Sequence, residues 1–149
     1  MTHPVEGSES TPAVTSLEYD ACWQVLKRLE FGRLAYAING RIDLVPVNYA
    51  VHAGEVVFRT AQGSKLAGVL QGGEVVFEVD EVTSTQATSV IVRATPREFP
   101  PNEARWADQM RLRPWVATRK EHVIGLRPID LSGRSFALTR PWTMMRPPR

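Results

Sequence analysis

The chain has 149 residues, 43% of them hydrophobic and 23% charged, enough for one domain with its own core and far from disordered, collagen-like or disulfide-scaffold compositions. Lysine and arginine exceed aspartate and glutamate by only 18 to 16 and are scattered apart from an arginine-rich stretch at 105–120, which argues against nucleic acid as a partner. A single cysteine, Cys22, excludes an internal disulfide and leads us to expect a reducing, cytoplasmic setting; Arg, Asp, Gly or Pro interrupts every apolar run well short of the roughly 18 residues that a membrane-spanning helix needs.

Residues 1–14 mix Pro, Ser, Thr, Glu and Gly without apolar periodicity, and are expected to form a disordered tail before a domain spanning 15–140, with a second tail at 141–149. Thr15 opens T-S-L-E, a capping-box pattern that predicts a helix start, and Leu17, Ala21, Val25 and Leu29 recur every four residues as one apolar stripe until Gly32. Two extended runs, 34–38 and 42–51, flank Asn39-Gly40, the pair that best tolerates a type I′ turn, so a hairpin is predicted. A turn at 52–54 leads into a third strand, 55–60. Ser64 caps a short helical segment over 65–70, and Gly72-Gly73 releases the chain into a strand at 74–82.

A fifth strand spans 88–99, where Pro96 withholds one ladder donor and implies an edge or a bulge. Asn102 caps a helix through about residue 112, ended by Pro114; 122–131 and 135–139 read as a sixth strand and a short seventh, joined by Ser132-Gly133-Arg134. Strands with short connections, and helices at three inserts, favour an antiparallel barrel over a parallel α/β sheet.

The chemistry concentrates in V-P-V-N-Y (45–49) and V-V-F-R-T-A-Q-G-S-K (56–65). Arg59 and Lys65 stand six residues apart across a turn, so both cations are placed to converge on one anion, with Thr60 and Ser64 supplying hydroxyls. Ser64 also precedes a helix, whose free amides and dipole favour phosphate. A P-loop is ruled out because Phe58 stands where its first glycine would, and no G-x-G-x-x-G joins a strand to a helix.

These segments, together with G-R-L-A (32–35), V-V-F-E-V-D (75–80) and the closing G-L-R-P-I-D-L-S-G-R (125–134), resemble the pyridoxamine-phosphate-oxidase-like, FMN-binding split-barrel family over roughly residues 17–134. The resemblance implies a mainly β fold, a six- to seven-stranded antiparallel split β-barrel with short flanking helices, working as a homodimer that builds its ring pocket from two chains. It implies FMN phosphate on Arg59, Thr60, Ser64 and Lys65, and the strand Pro46, Val47, Asn48 and Tyr49 beside the isoalloxazine ring. Where relatives carry G-W-S-V, this chain has Q-A-T-S-V: Ser89 matches as a cofactor contact, whereas Thr88 replaces the tryptophan and is expected to open the pocket on that face.

The expected activity is flavin-dependent hydride transfer to a small organic substrate. Pyridoxamine phosphate itself is disfavoured, since no second phosphate site stands out. The alternatives are a flavin- or haem-binding storage or sensing protein, with His122 as haem ligand, and a deazaflavin-dependent reductase drawing on Arg93, Arg97 or Arg127. His3, His52, His122 and Cys22 are too dispersed for a metal set, and no nucleophile-elbow grouping supports hydrolysis.

Overall fold

The computed structural model describes residues 14–61, 63–71, 73–109 and 122–138. The expected tails apart from Val14, residues 110–112 of the third predicted helix, Trp115 and Trp142 lie outside the described residues. Eight strands form one antiparallel sheet: β1 (Val14–Ser16), β2 (Phe31–Ile38), β3 (Arg41–Asn48), β4 (Ala50–His52), β5 (Glu55–Thr60), β6 (Val75–Val82), β7 (Gln86–Glu98) and β8 (His122–Ala137). Among the described residues the helices are α1 (Tyr19–Arg28) and α2 (Ser64–Gln71), with one 3₁₀ turn at Arg105–Gln109. No described helix is long and apolar enough to cross a membrane.

The strand order is β3-β2-β6-β7-β8-β5-β4. Its two ends, β3 and β4, are separated in sequence by Tyr49 alone, so the sheet must curl until its edges meet. Among the described residues no ladder joins them, which makes the barrel split. The predicted strand over 42–51 is therefore two strands: at Tyr49 the chain leaves its pairing with β2 and takes up pairing with β5, and the Tyr49 N–H turns aside to the Glu30 carbonyl at 2.9 Å.

Alternation along the strands separates two faces. Leu34, Phe77, Val92 and Leu131 align across four strands and point inward with Val79 and Val90. Helix α1 packs Cys22, Val25 and Leu26 into this core, a face turned one residue from the predicted stripe. Helix α2 contributes Val69 against β2 and β7.

Several predicted boundaries move for reasons of long-range pairing. Thr15 is not a helix cap: β1 pairs with β8 (Thr15↔Ser135), so a backbone ladder outcompetes one side-chain bond, and α1 starts at Tyr19 after Glu18, which makes no side-chain cap. The helix ends at Leu29, whose extended ψ of 159° leads directly into β2, so Gly32 lies inside a strand. The predicted turn at 132–134 is mid-strand in a continuous β8; Gly133 is small because Cys22 Sγ of α1 would sit 2.7 Å from any Cβ there. The predicted helix after Asn102 is, as far as the described residues go, only the 3₁₀ turn. The Asn39-Gly40 hairpin is as expected, with φ of 51° and 73°. Pro96 lies where β7 runs beyond β6 and only β8 pairs with it, next to a register shift at Arg93/Ala94.

Candidate functional site

Arg59 and Thr60 end β5, opposite Val123 and His122 of β8. Strand alternation sends them to opposite faces. Thr60 is buried and its hydroxyl donates to the Ala61 carbonyl at 3.3 Å, while Arg59 is half-buried on the face it shares with Glu55 and Val57. That side of β5 is covered by a small apolar cluster of Val57, Phe99, Ala107 and Val123. Glu55, also buried, holds the cluster's rim: Arg97 donates to both its oxygens at 2.9 and 2.7 Å and lies 4.1 Å above the Phe99 ring, and Arg127 approaches at 3.5 Å. Arg97 is thus committed to structure rather than to a cofactor tail, and Arg93 pairs with Glu74 at 3.6 Å.

After β5 the chain passes Gly63 and enters α2 at Ser64, whose first helical bond runs from the Ala67 N–H to the Gly63 carbonyl. The amides of residues 64–66 therefore precede the hydrogen-bonded ladder and point their positive ends outward. The side chains of Ser64 and Lys65 lie outside the described residues.

Asn48 enters the same neighbourhood through register. The β4–β5 ladder pairs Ala50 with Val57; continued past Tyr49, that register sets Asn48 opposite Arg59, and β3 does approach β5. The Asn48 Oδ1 is buried and accepts no hydrogen bond among the described residues. A buried amide oxygen without a donor costs about 1–3 kcal/mol, so a donor brought by a ligand would be favoured there. A phosphorylated flavin fits this set: a cation and free helix amides for the phosphate, and an unsatisfied amide for the hydroxylated or heteroatom-bearing remainder.

The other expected contacts divide. Pro46 is exposed on the outer side of β3, an edge strand where its missing N–H costs nothing. Val47 and Tyr49, expected beside the ring, belong to the core: Tyr49 is 1% exposed, its hydroxyl donates to the Leu26 carbonyl at 2.7 Å, and its ring meets Phe77 edge-on. Burial, and then the charge of Glu30, push the Tyr49 hydroxyl well above the usual tyrosine range. Ser89 pairs with Asp80 and Arg134. Since Arg59 pairs with Val123, Ser89 lies eleven positions away along β8, on the order of 35 Å of extended strand. One chain does not bring Ser89 to Arg59.

Thr88 is likewise remote. It lines a groove of about 440 Å³ between α1 and the β7–β8 rim, with Leu17, Gln24, Arg28, Gln86 and Ser135. His122 faces Glu98 through Nδ1, a strand-to-strand pair rather than an open ligand position. No group of three or more potential metal-binding side chains gathers among the described residues.

A feature unforeseen in the sequence lies on the outer face. Ile42 and Leu44 are 82% and 64% exposed on edge strand β3, opposite Ala37 and Ala35 of β2, and continue through Pro46 to Asn48. The alternation R-I-D-L-V-P-V-N carries the signal: Ile42, Leu44 and Pro46 share one face and Val45 and Val47 the other, and the first of these faces is uncovered among the described residues.

A sequence model of the family described as pyridoxamine 5'-phosphate oxidase matches residues 18–135. An uncharacterised protein of Mycobacterium tuberculosis is 34% identical over 87 residues, covering 58% of this chain and 79% of the relative. Among solved structures, a Corynebacterium glutamicum protein provisionally described as a pyridoxamine 5'-phosphate oxidase superposes with a TM-score of 0.75 at 31% identity, over 85% of this chain and 96% of that one. A protein of Mycobacterium smegmatis described as FAD-binding superposes with a TM-score of 0.72 at 30% identity, over 83% and 99%.

Proposed function

From the premise that this chain belongs to the pyridoxamine 5'-phosphate oxidase-like family, we propose that it is an FMN-dependent oxidoreductase that acts as a homodimer on a small organic substrate. The observation that carries the reading is the buried Asn48 Oδ1, without a donor among the described residues, where β3 approaches β5, the strand that carries Arg59. Arg59 and the amides that open α2 bind the phosphate; Arg suits this task because its planar fork meets two phosphate oxygens at once. Asn48 orients the remainder of the cofactor by offering both a donor and an acceptor. When bound, FMN supplies the hydride chemistry, and the protein supplies placement and exclusion of water.

The dimer is supported by the strip formed by Ile42, Leu44 and Pro46. An apolar stripe on an edge strand is a poor surface for a lone domain and a good one for a self-complementary C₂ contact. Because Asn48 continues the same strip, the contact would border the cofactor. The solved relative described as FAD-binding is consistent with a flavin and does not choose between flavins.

The test is the visible spectrum of the purified protein, with mass spectrometry of the ligand released on denaturation and the rate at which NADPH or NADH reduces it. A flavin spectrum, the mass of FMN and reduction faster than that of free FMN are expected. Release of FAD, a deazaflavin or haem would replace the cofactor assignment, and FMN bound but reduced no faster than in solution would make this a carrier or sensor.

A further inference from the structure

Helix α2 contains a glycine that its backbone does not require. Gly68 lies in the interior of Ser64–Gln71 and is not among the positive-φ residues. Glycine there costs about 1 kcal/mol relative to alanine. Its reason is space: a Cβ on Gly68 would lie 2.6 Å from Tyr36 Cε2, 2.9 Å from Tyr36 Cδ2 and 3.3 Å from Ile38 Cδ1. Tyr36 is 6% exposed and packs in the core from β2, so the methyl would press on a buried ring. The contact sets how closely α2 lies against the barrel.

Ser64 and Gly68 are four residues apart and so share one face of the helix. A helix held down at Gly68 is held down one turn from its first amides. Arg59 sits on β5, and Tyr36 on β2, separated from β5 in the sheet by β6, β7 and β8. The two halves of the phosphate site therefore belong to different elements, and their spacing depends on the depth at which α2 docks.

We propose that Gly68 is a positioning residue for the phosphate site: its missing side chain lets α2 rest on Tyr36 at the depth that aims the helix amides at the anion held by Arg59. The inference rests on the FMN reading above. A methyl at position 68 lifts α2 from β2 and separates its amino terminus from Arg59, so it costs affinity for the phosphate and not for the rest of the ligand.

The experiment measures FMN and riboflavin affinities for Gly68→Ala alone and combined with Tyr36→Leu or Tyr36→Phe, with thermal unfolding as the control for folding. Gly68→Ala is expected to weaken FMN roughly tenfold, the scale of a lost helix-terminus interaction with an anion, and to leave riboflavin unchanged. Tyr36→Leu removes the ring that the methyl strikes and restores FMN binding; Tyr36→Phe keeps that ring and does not. Equal losses for both ligands, no loss for either, or rescue by both tyrosine variants would overturn the proposal. Arg59→Ala separates the two claims: if it weakens FMN selectively while Gly68→Ala does not, only the positioning role fails, and if it leaves FMN binding intact the phosphate reading itself fails.

Discussion

The Tyr49 hydroxyl donates a 2.7 Å hydrogen bond to the Leu26 carbonyl, tying the point where the sheet changes partners to the last turns of α1. Tyr49→Phe keeps the ring on Phe77 but leaves a buried carbonyl with less than its share of donors. It should cost about 1–2 kcal/mol, or roughly 3–6 °C in Tm. The same tyrosine makes a pH prediction. Its folded pKa is raised above the unfolded value of about 10, so the unfolded chain releases the proton first and stability falls as pH rises beyond about 10. The alkaline limb of Tm against pH should flatten in Tyr49→Phe; an unchanged limb would assign it to another group.

Glu55 is buried against Arg97 at 2.7 and 2.9 Å and meets Arg127 only at 3.5 Å. Arg97→Leu leaves a buried carboxylate with one weak partner and should destabilise by about 2 kcal/mol, below the range for a fully buried pair because Arg97 is partly solvated. Arg127→Leu should cost under about 0.5 kcal/mol. Urea denaturation of the two variants would show equal losses if the geometry were misread.

Ile42 sits 82% exposed on β3, beside Leu44. Ile42→Lys should convert a dimer into monomers in sedimentation velocity while leaving the far-ultraviolet circular dichroism unchanged. A wild-type chain that sediments as a monomer with flavin bound would remove the dimer from the proposal.

Thr88 faces α1 across the groove shared with Gln24 and Ser135. Tryptophan there enters this groove and should leave FMN affinity unaltered. Selective loss of flavin reduction in Thr88→Trp would instead put this groove at the ring, through a second chain.

Local chemistry was legible wherever one segment decided it. Asn39-Gly40 needs positive φ at both positions and makes the hairpin, and the turn from β5 into α2 is signalled by Gly63-Ser64. Distant backbone decides the rest. Thr15 pairs with β8 and lies in a strand, and Gly133 reads as a turn in the sequence because the close approach of Cys22 is invisible there. Tyr49 and Val47 share a motif with Asn48, yet only Asn48 keeps an unsatisfied polar atom, since a motif does not say which members face the core. Ser89 matched a family position but lies far along β8 from Arg59, a separation fixed by topology alone.

The central claim, that Arg59 and the start of α2 hold a flavin by its phosphate, is tested most directly by titrating FMN and riboflavin into apoprotein of the wild type and of Arg59→Ala. The wild type should favour FMN over riboflavin, and Arg59→Ala should weaken FMN roughly 10- to 100-fold, the scale of a charge-assisted hydrogen bond, while riboflavin changes little. Equal affinities of the wild type for the two ligands, or equal losses of both in Arg59→Ala, would contradict the account.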